Sequence, residues 1–200
     1  YMKKVIYYGI RDIRVEEAPE ISPAQGEVKI KIKYCGICGS DLHEYLHGLF
    51  PESPFGHEAC GEIVALGEGV KDFVVEERVC SVIPGSFAEF INCPVERVIK
   101  IPTDMDWKRA AVVEPLSGAA YALERARIKG DETVLIAGCG TVGLMILLGL
   151  KAMGVKNIYM SDLLDYRRDK ALQLGAALTW NPLEVKTSTK IKELTSGKGV

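Results

Sequence analysis

The sequence has no long apolar run. Its longest, residues 144–150, falls far short of the roughly 20 residues that a membrane-spanning helix needs, so no such helix is expected within these residues. It also lacks a charge excess: 25 Lys+Arg face 27 Asp+Glu, with neither a basic stripe nor a block of like charge. Electrostatics therefore give no reason to expect nucleic acid or a membrane surface as a partner. The N-terminal stretch shows no signal-peptide pattern, because Met2-Lys3-Lys4 leads into a strand-like segment and not an apolar one. The six cysteines lack the spacing of a secreted disulfide scaffold, which points to reduced thiols in a cytoplasmic protein. Repeats and low-complexity segments are absent. Histidine is scarce, and all three copies, His43, His47 and His57, fall within fifteen positions of one another. What remains is a chain of 200 residues, 48% hydrophobic, with enough apolar material for one or two domains with real cores.

The pattern divides this material in two. Residues 5–8 and 13–17 read as a hairpin, and residues 28–34 alternate strictly, with Val28, Ile30, Ile32 and Tyr34 on one face and three lysines on the other. Further strands are expected at 60–66, 78–83 and 87–93, separated by turns, which describes an irregular β unit resembling a partly open barrel. Past Pro102 the character changes. Asp106 can cap a short helix through Val113, and Pro115 can start another running from about 116 to 127. Strand and helix then alternate: strands at 133–137, 157–161 and 177–180, helices at 142–153, 165–174 and 185–194. This βαβαβ order predicts an open parallel sheet. The expected division is 1–115 for the β unit and 116–200 for the α/β unit.

Two stretches carry chemistry. Gly138-Cys139-Gly140-Thr141-Val142-Gly143 is a G-x-G-x-x-G that follows a buried strand and opens a helix. In that context the first glycine allows a tight turn, the second lets a pyrophosphate approach the backbone, and the third lets helix pack on strand. Asp162 lies at the end of the next strand, about 20 residues on, where an acid would receive the hydroxyls of an adenosine ribose. Such an acid repels a 2′-phosphate and favours NAD over NADP; Arg167 and Arg168 nearby pull the other way. A purely structural glycine turn is the plain alternative. The second stretch, Cys38-Gly39-Ser40-Asp41-Leu42-His43, gathers a thiol, a hydroxyl, a carboxylate and an imidazole. Each has an ordinary reading: Cys38 as a small buried hydrophobe, Ser40 and Asp41 as helix caps, His43 and His47 as neighbours on one exposed helical face. Gly56-His57-Glu58 adds an imidazole and a carboxylate, the donor types that zinc takes beside a thiolate. Spacing alone leaves their convergence open.

Four ordered motifs, Gly36-Ile37-Cys38-Gly39-Ser40-Asp41-Leu42-His43, Gly56-His57-Glu58-Ala59-Cys60-Gly61-Glu62-Ile63-Val64, Gly85-Ser86-Phe87-Ala88-Glu89-Phe90 and the loop from Gly138 to Gly143, resemble the zinc-dependent medium-chain dehydrogenases. That group includes the alcohol, sorbitol and threonine dehydrogenases. The resemblance implies a GroES-like β catalytic domain followed by a Rossmann domain, an α/β architecture overall. It also implies one catalytic zinc and NAD, with a secondary alcohol (a polyol, a sugar or a related alcohol) oxidised to a ketone. Cys38 and His57 then look like zinc ligands, with Glu58 or Glu114 completing the set. Glu114-Pro115-Leu116 points to the polyol branch. Ser40 resembles the hydroxyl that takes the substrate proton, His43 the outer end of its relay, and Asp41 a partner orienting His57. Relatives of this architecture are generally dimers or tetramers, so a homodimer or homotetramer is expected.

Two features depart from the family pattern. The lobe that carries a second, structural zinc has no room between Arg78-Val79 and Gly85-Ser86-Phe87, so no structural zinc is expected. The dinucleotide domain shows three strands of six, so the chain reads as a portion of a longer protein. A zinc-free reductase acting on activated double bonds and a non-catalytic dinucleotide-binding module are the rival readings. The substrate pocket is expected to involve residues 46–54.

Overall fold

The structure is a computed structural model that describes residues 1–48 and 54–200; most of the loop expected to shape the pocket therefore lies outside the described residues. The chain divides into two compact units, Tyr1–Glu114 and Pro115–Val200.

The first unit is built on antiparallel pairing. Strands β1 (Met2–Gly9) and β2 (Asp12–Ala18) form the expected hairpin. Five further strands, β3 (Glu27–Gly36), β4 (Glu58–Leu66), β5 (Arg78–Ser81), β6 (Phe90–Pro94) and β7 (Val98–Lys100), make one sheet in the order β6-β3-β4-β5-β7. The two edge strands, β6 and β7, are joined by a single 3-10 turn, Val95–Arg97. Four backbone steps reach at most about 14 Å, whereas five flat strands would hold their edges about 19 Å apart. The sheet must therefore curl, and its concave side is filled by Val28, Ile30, Ile63, Val79 and Cys93, all essentially inaccessible to solvent.

Two strand expectations need correction here. Tyr34, expected on the buried face, is 44% exposed. The register between β3 and β4 shifts between Ile32 and Tyr34, and such a bulge turns the following side chain to the other face. Residues 87–89 do not extend β6; Ala88 makes a lone bridge to Lys4 of β1 instead.

Helix α1 (Gly39–His47) follows β3, and α2 (Trp107–Ala110) is capped by Asp106, whose carboxylate accepts from the N–H groups of Lys108 and Arg109. Helix α3 (Val113–Ala126) starts three residues before the expected position. Pro115 sits inside its first turn, where a missing N–H costs nothing because that group has no partner within the helix.

The second unit alternates β8 (Thr133–Ala137), α4 (Thr141–Ala152), β9 (Asn157–Ser161), α5 (Asp165–Gln173), β10 (Leu178–Trp180) and α6 (Thr187–Leu194). Its strands pair in parallel in the order β10-β9-β8. This is the 3-2-1 order of one half of a doubly wound sheet. Leu147 and Leu150 from α4 pack with Ile136, Ile158, Met160 and Ala171 in its core. Among the described residues, no helix is long and apolar enough to cross a membrane.

Candidate metal centre and dinucleotide cradle

The pairing of β3 with β4 sets up the first site. Its register places Gly36 opposite Glu58 at one end of the ladder. Chain continuity then puts Cys38, two residues past Gly36, beside His57, one residue before Glu58. The donor atoms of Cys38, His57 and Glu58 all lie within 4.8 Å of one another. Donors of a tetrahedral zinc stand about 3.5 Å apart, given bond lengths of about 2.0–2.3 Å, a spread that small side-chain rotations can reach. A thiol, an imidazole and a carboxylate make a donor set suited to zinc, and Glu58, 8% exposed, is a buried acid of the kind that a cation compensates.

Asp41 ties the two ligand-bearing segments together. One oxygen accepts from the Cys38 N–H at 2.9 Å, closing the first turn of α1, and the other accepts from the Gly56 N–H at 3.0 Å. The expected direct contact with His57 is long: the Asp41 carboxylate stands 3.9 Å from Nδ1, outside hydrogen-bond range. Asp41 acts on the cluster through the backbone on either side of it.

Glu114, in the first turn of α3, is half-buried and is not one of the three clustered donors. Burial pushes its carboxyl pKa up, with His57 lowering and Glu58 raising it, so it lies within electrostatic reach of both. Ser40 lines a small cleft of about 70 Å³ together with Asp41, Phe55 and His57. His43 is exposed on α1 and does not line that cleft. Burial pushes the thiols of Cys60 and Cys93 up to about 11 and those of Cys35 and Cys80 up to about 12, so these four stay protonated at neutral pH.

Gly36 opens the first motif, but its position against the cluster appears only through the pairing with Glu58. A Cβ there would meet Glu58 Oε2 at 2.1 Å. Gly36→Ala is expected to push the carboxylate out of the cluster and weaken metal binding about 10–100-fold, the range seen when ligand support is lost. Zinc competition against a chromogenic chelator would read this directly.

The second site is built at the mouth of β8. Gly138 turns the chain with φ +106, and a Cβ at Gly143 would lie 2.0 Å from the Gly138 carbonyl oxygen. At Gly140 an added Cβ would meet no atom within 4 Å. Gly140 is the N-cap of α4 with no side chain capping it, which leaves the N–H groups of Thr141, Val142 and Gly143 aimed at whatever anion approaches. Cys139, Gly140, Thr141, Tyr166, Arg167 and Lys170 line a cleft of about 300 Å³ there.

Asp162 closes one side of the cradle. Its carboxylate accepts from the Cys139 N–H at 2.8 Å and the Leu164 N–H at 2.9 Å, with Arg167 4.0 Å away. Burial pushes its pKa up, but the two N–H groups and Arg167 and Arg168 outweigh this, and the group is held below the usual range. Carboxylate oxygens have about four acceptor sites, so two remain for a ligand hydroxyl. A depressed folded-state pKa stabilises the unit above the unfolded value of about 3.9 and loses that contribution as pH falls through the folded value. Asp162→Asn is therefore expected to flatten the fall of stability below about pH 4, measured by urea unfolding across pH.

A curled antiparallel unit carrying a thiol–imidazole–carboxylate cluster is followed by a parallel unit with a glycine turn and an acid on the second strand, the architecture of a GroES-like unit joined to a Rossmann-like sheet. The comparisons agree. Residues 24–103 match the alcohol dehydrogenase GroES-like domain model, and residues 141–200 match the zinc-binding dehydrogenase model. An (R,R)-butanediol dehydrogenase of Bacillus subtilis is 35% identical over 217 residues, covering 88% of this chain and 62% of that protein. A sorbitol dehydrogenase of the same organism is 32% identical, covering 100% of this chain and 66% of its own length. A solved alcohol dehydrogenase structure from Escherichia coli CFT073, complexed with NADH, superposes with a TM-score of 0.91 at 30% identity, over 97% of this chain and 66% of that one. The chain belongs to the zinc-dependent medium-chain dehydrogenase family. It spans slightly less than two thirds of the length of these curated relatives.

Proposed function

We propose that the protein oxidises a secondary alcohol of the polyol class to a ketone with NAD, using one zinc ion per chain. The observation that carries this reading is the convergence of Cys38, His57 and Glu58 at the end of the β3/β4 ladder. These three would hold the zinc, and Glu114 is the further carboxylate within reach of the cluster. Bound there, zinc supplies Lewis acidity, which lowers the pKa of a hydroxyl beside it. The protein's own groups do the rest. Ser40, which shares its cleft with His57, accepts the hydroxyl proton at Oγ as it releases its own. That proton would leave by way of the cofactor ribose to His43, exposed on α1 at the outer end of the relay, and from there to solvent. The carbinol carbon gives up its hydride to the nicotinamide, so the alcohol loses two electrons and two hydrogens, and NADH and a ketone result. Backbone N–H groups at the start of α4 hold the pyrophosphate, and Asp162 receives the adenosine ribose.

The charge and position of Asp162 support NAD over NADP, with the Arg167 Nε–H donating to the Tyr166 hydroxyl at the rim. Butanediol and sorbitol, the substrates in the names of the two relatives, both place hydroxyls on adjacent carbons, which makes vicinal diols the first compounds to try. The deciding experiment follows NADH absorbance over a panel of secondary alcohols, diols and sugar alcohols, with zinc content measured in parallel. Oxidation that survives complete removal of zinc, or a wide preference for NADP, would overturn the corresponding part of the assignment.

A further inference from the structure

We propose that His43 and His47 form a second divalent-metal site, a two-imidazole chelate on the exposed face of α1, separate from the Cys38, His57 and Glu58 cluster. The two residues are four apart on one helix and so share a face. Both are exposed, and their ring centroids stand 5.9 Å apart with planes tilted by 32°. A metal–nitrogen bond of about 2.1 Å, plus about 1.1 Å from nitrogen to ring centre, puts two imidazoles on a tetrahedral ion about 5.2 Å apart. The rings need to close by only about 0.7 Å, a change that exposed side chains make by small torsional shifts.

The backbone beneath them is held at both ends. Asp41 accepts from the Cys38 N–H at the start of α1, and Gly48 ends the helix in the left-handed conformation at φ +63, its N–H donating to the Glu44 carbonyl. The segment His43-Glu44-Tyr45-Leu46-His47 has the H-E-x-x-H spacing by which helices present two histidines to zinc with a glutamate as base. Here Glu44 is only 4% exposed while both histidines face solvent, so its carboxylate points away from the chelate. The pair binds metal without a hydrolytic base. Imidazole donors with open remaining positions suit zinc, nickel and copper, and copper binds most tightly of the three. The consequence for turnover rests on the relay reading of His43: a metal held there blocks proton exit.

Nickel or copper chloride titrated into protein already carrying one equivalent of zinc tests the site, by equilibrium dialysis at a pH where free imidazole is neutral. One further equivalent is expected. His47→Gln should weaken it by about tenfold or more, with helix content by circular dichroism and the first equivalent of zinc unchanged. Absence of the second equivalent, or its persistence at full strength in His47→Gln, overturns the proposal. In the kinetic arm, excess zinc should inhibit the parent enzyme and spare His47→Gln. Binding that depends on His47 without inhibition would uphold the chelate and remove His43 from the relay.

Discussion

Cys38→Ser is expected to lower zinc affinity by more than about 100-fold and to abolish alcohol oxidation, because loss of a supporting group beyond the ligands already costs about 10–100-fold. The fold should survive. Cys38 is half-buried at the N-cap of α1 and, among the described residues, lies outside the apolar clusters. Serine is itself a favourable N-cap, which keeps the start of the helix intact. Metal analysis after dialysis, together with a thermal melt, separates the two effects. Retention of both zinc and activity would remove Cys38 from the site.

The glycine loop offers the second large effect, through a pair of substitutions with opposite signatures. At Gly143 a Cβ would fall 2.0 Å from the Gly138 carbonyl oxygen, a backbone atom that cannot swing aside. Gly143→Val should therefore separate α4 from β8, destabilise the second unit by at least the roughly 1–3 kcal/mol of an overpacked core, and abolish dinucleotide binding as a result. At Gly140 the added methyl meets nothing within 4 Å, and φ −78 suits any residue. Gly140→Ala should leave the melting temperature unchanged while the methyl occupies space that a pyrophosphate needs, weakening NAD binding about tenfold or more. Calorimetric NAD titration beside a thermal melt reads both. Equal stability loss in the two variants would show that the cradle at Gly140 is structural.

Local pattern told much of the fold. The limits of β8 and β9 coincide with the strands expected at 133–137 and 157–161, and the helices that follow them end within one residue of the expected positions. The apolar runs of β8 and α4 carry a signal contained in themselves. Elsewhere a local rule met a neighbour. The period-2 pattern of β3 could not reveal the bulge that exposes Tyr34, because a bulge belongs to two strands at once. Strand β7 has strand-forming residues, Val98 and Ile99, but only three positions, too short for a pattern to show, and pairing to β5 is what makes it a strand. Pro115 misled the start of α3, since proline fits the first turn as well as the first position.

The site divides along the same line. From the amino-acid sequence alone came the kinds of group available: a thiol and three imidazoles close together in the chain, two candidate glutamates, and a glycine turn whose spacing carries its own geometry. Which of those groups meet was decided by tertiary structure. The placement of Gly36 against Glu58 brings Glu58, and not Glu114, into the cluster with Cys38 and His57. The same packing turns Asp41 into a clasp between two backbone segments and leaves His43 and His47 together on the open face of α1. Strand register is a pairing between residues more than twenty positions apart, and no window of sequence short enough to show a motif contains it.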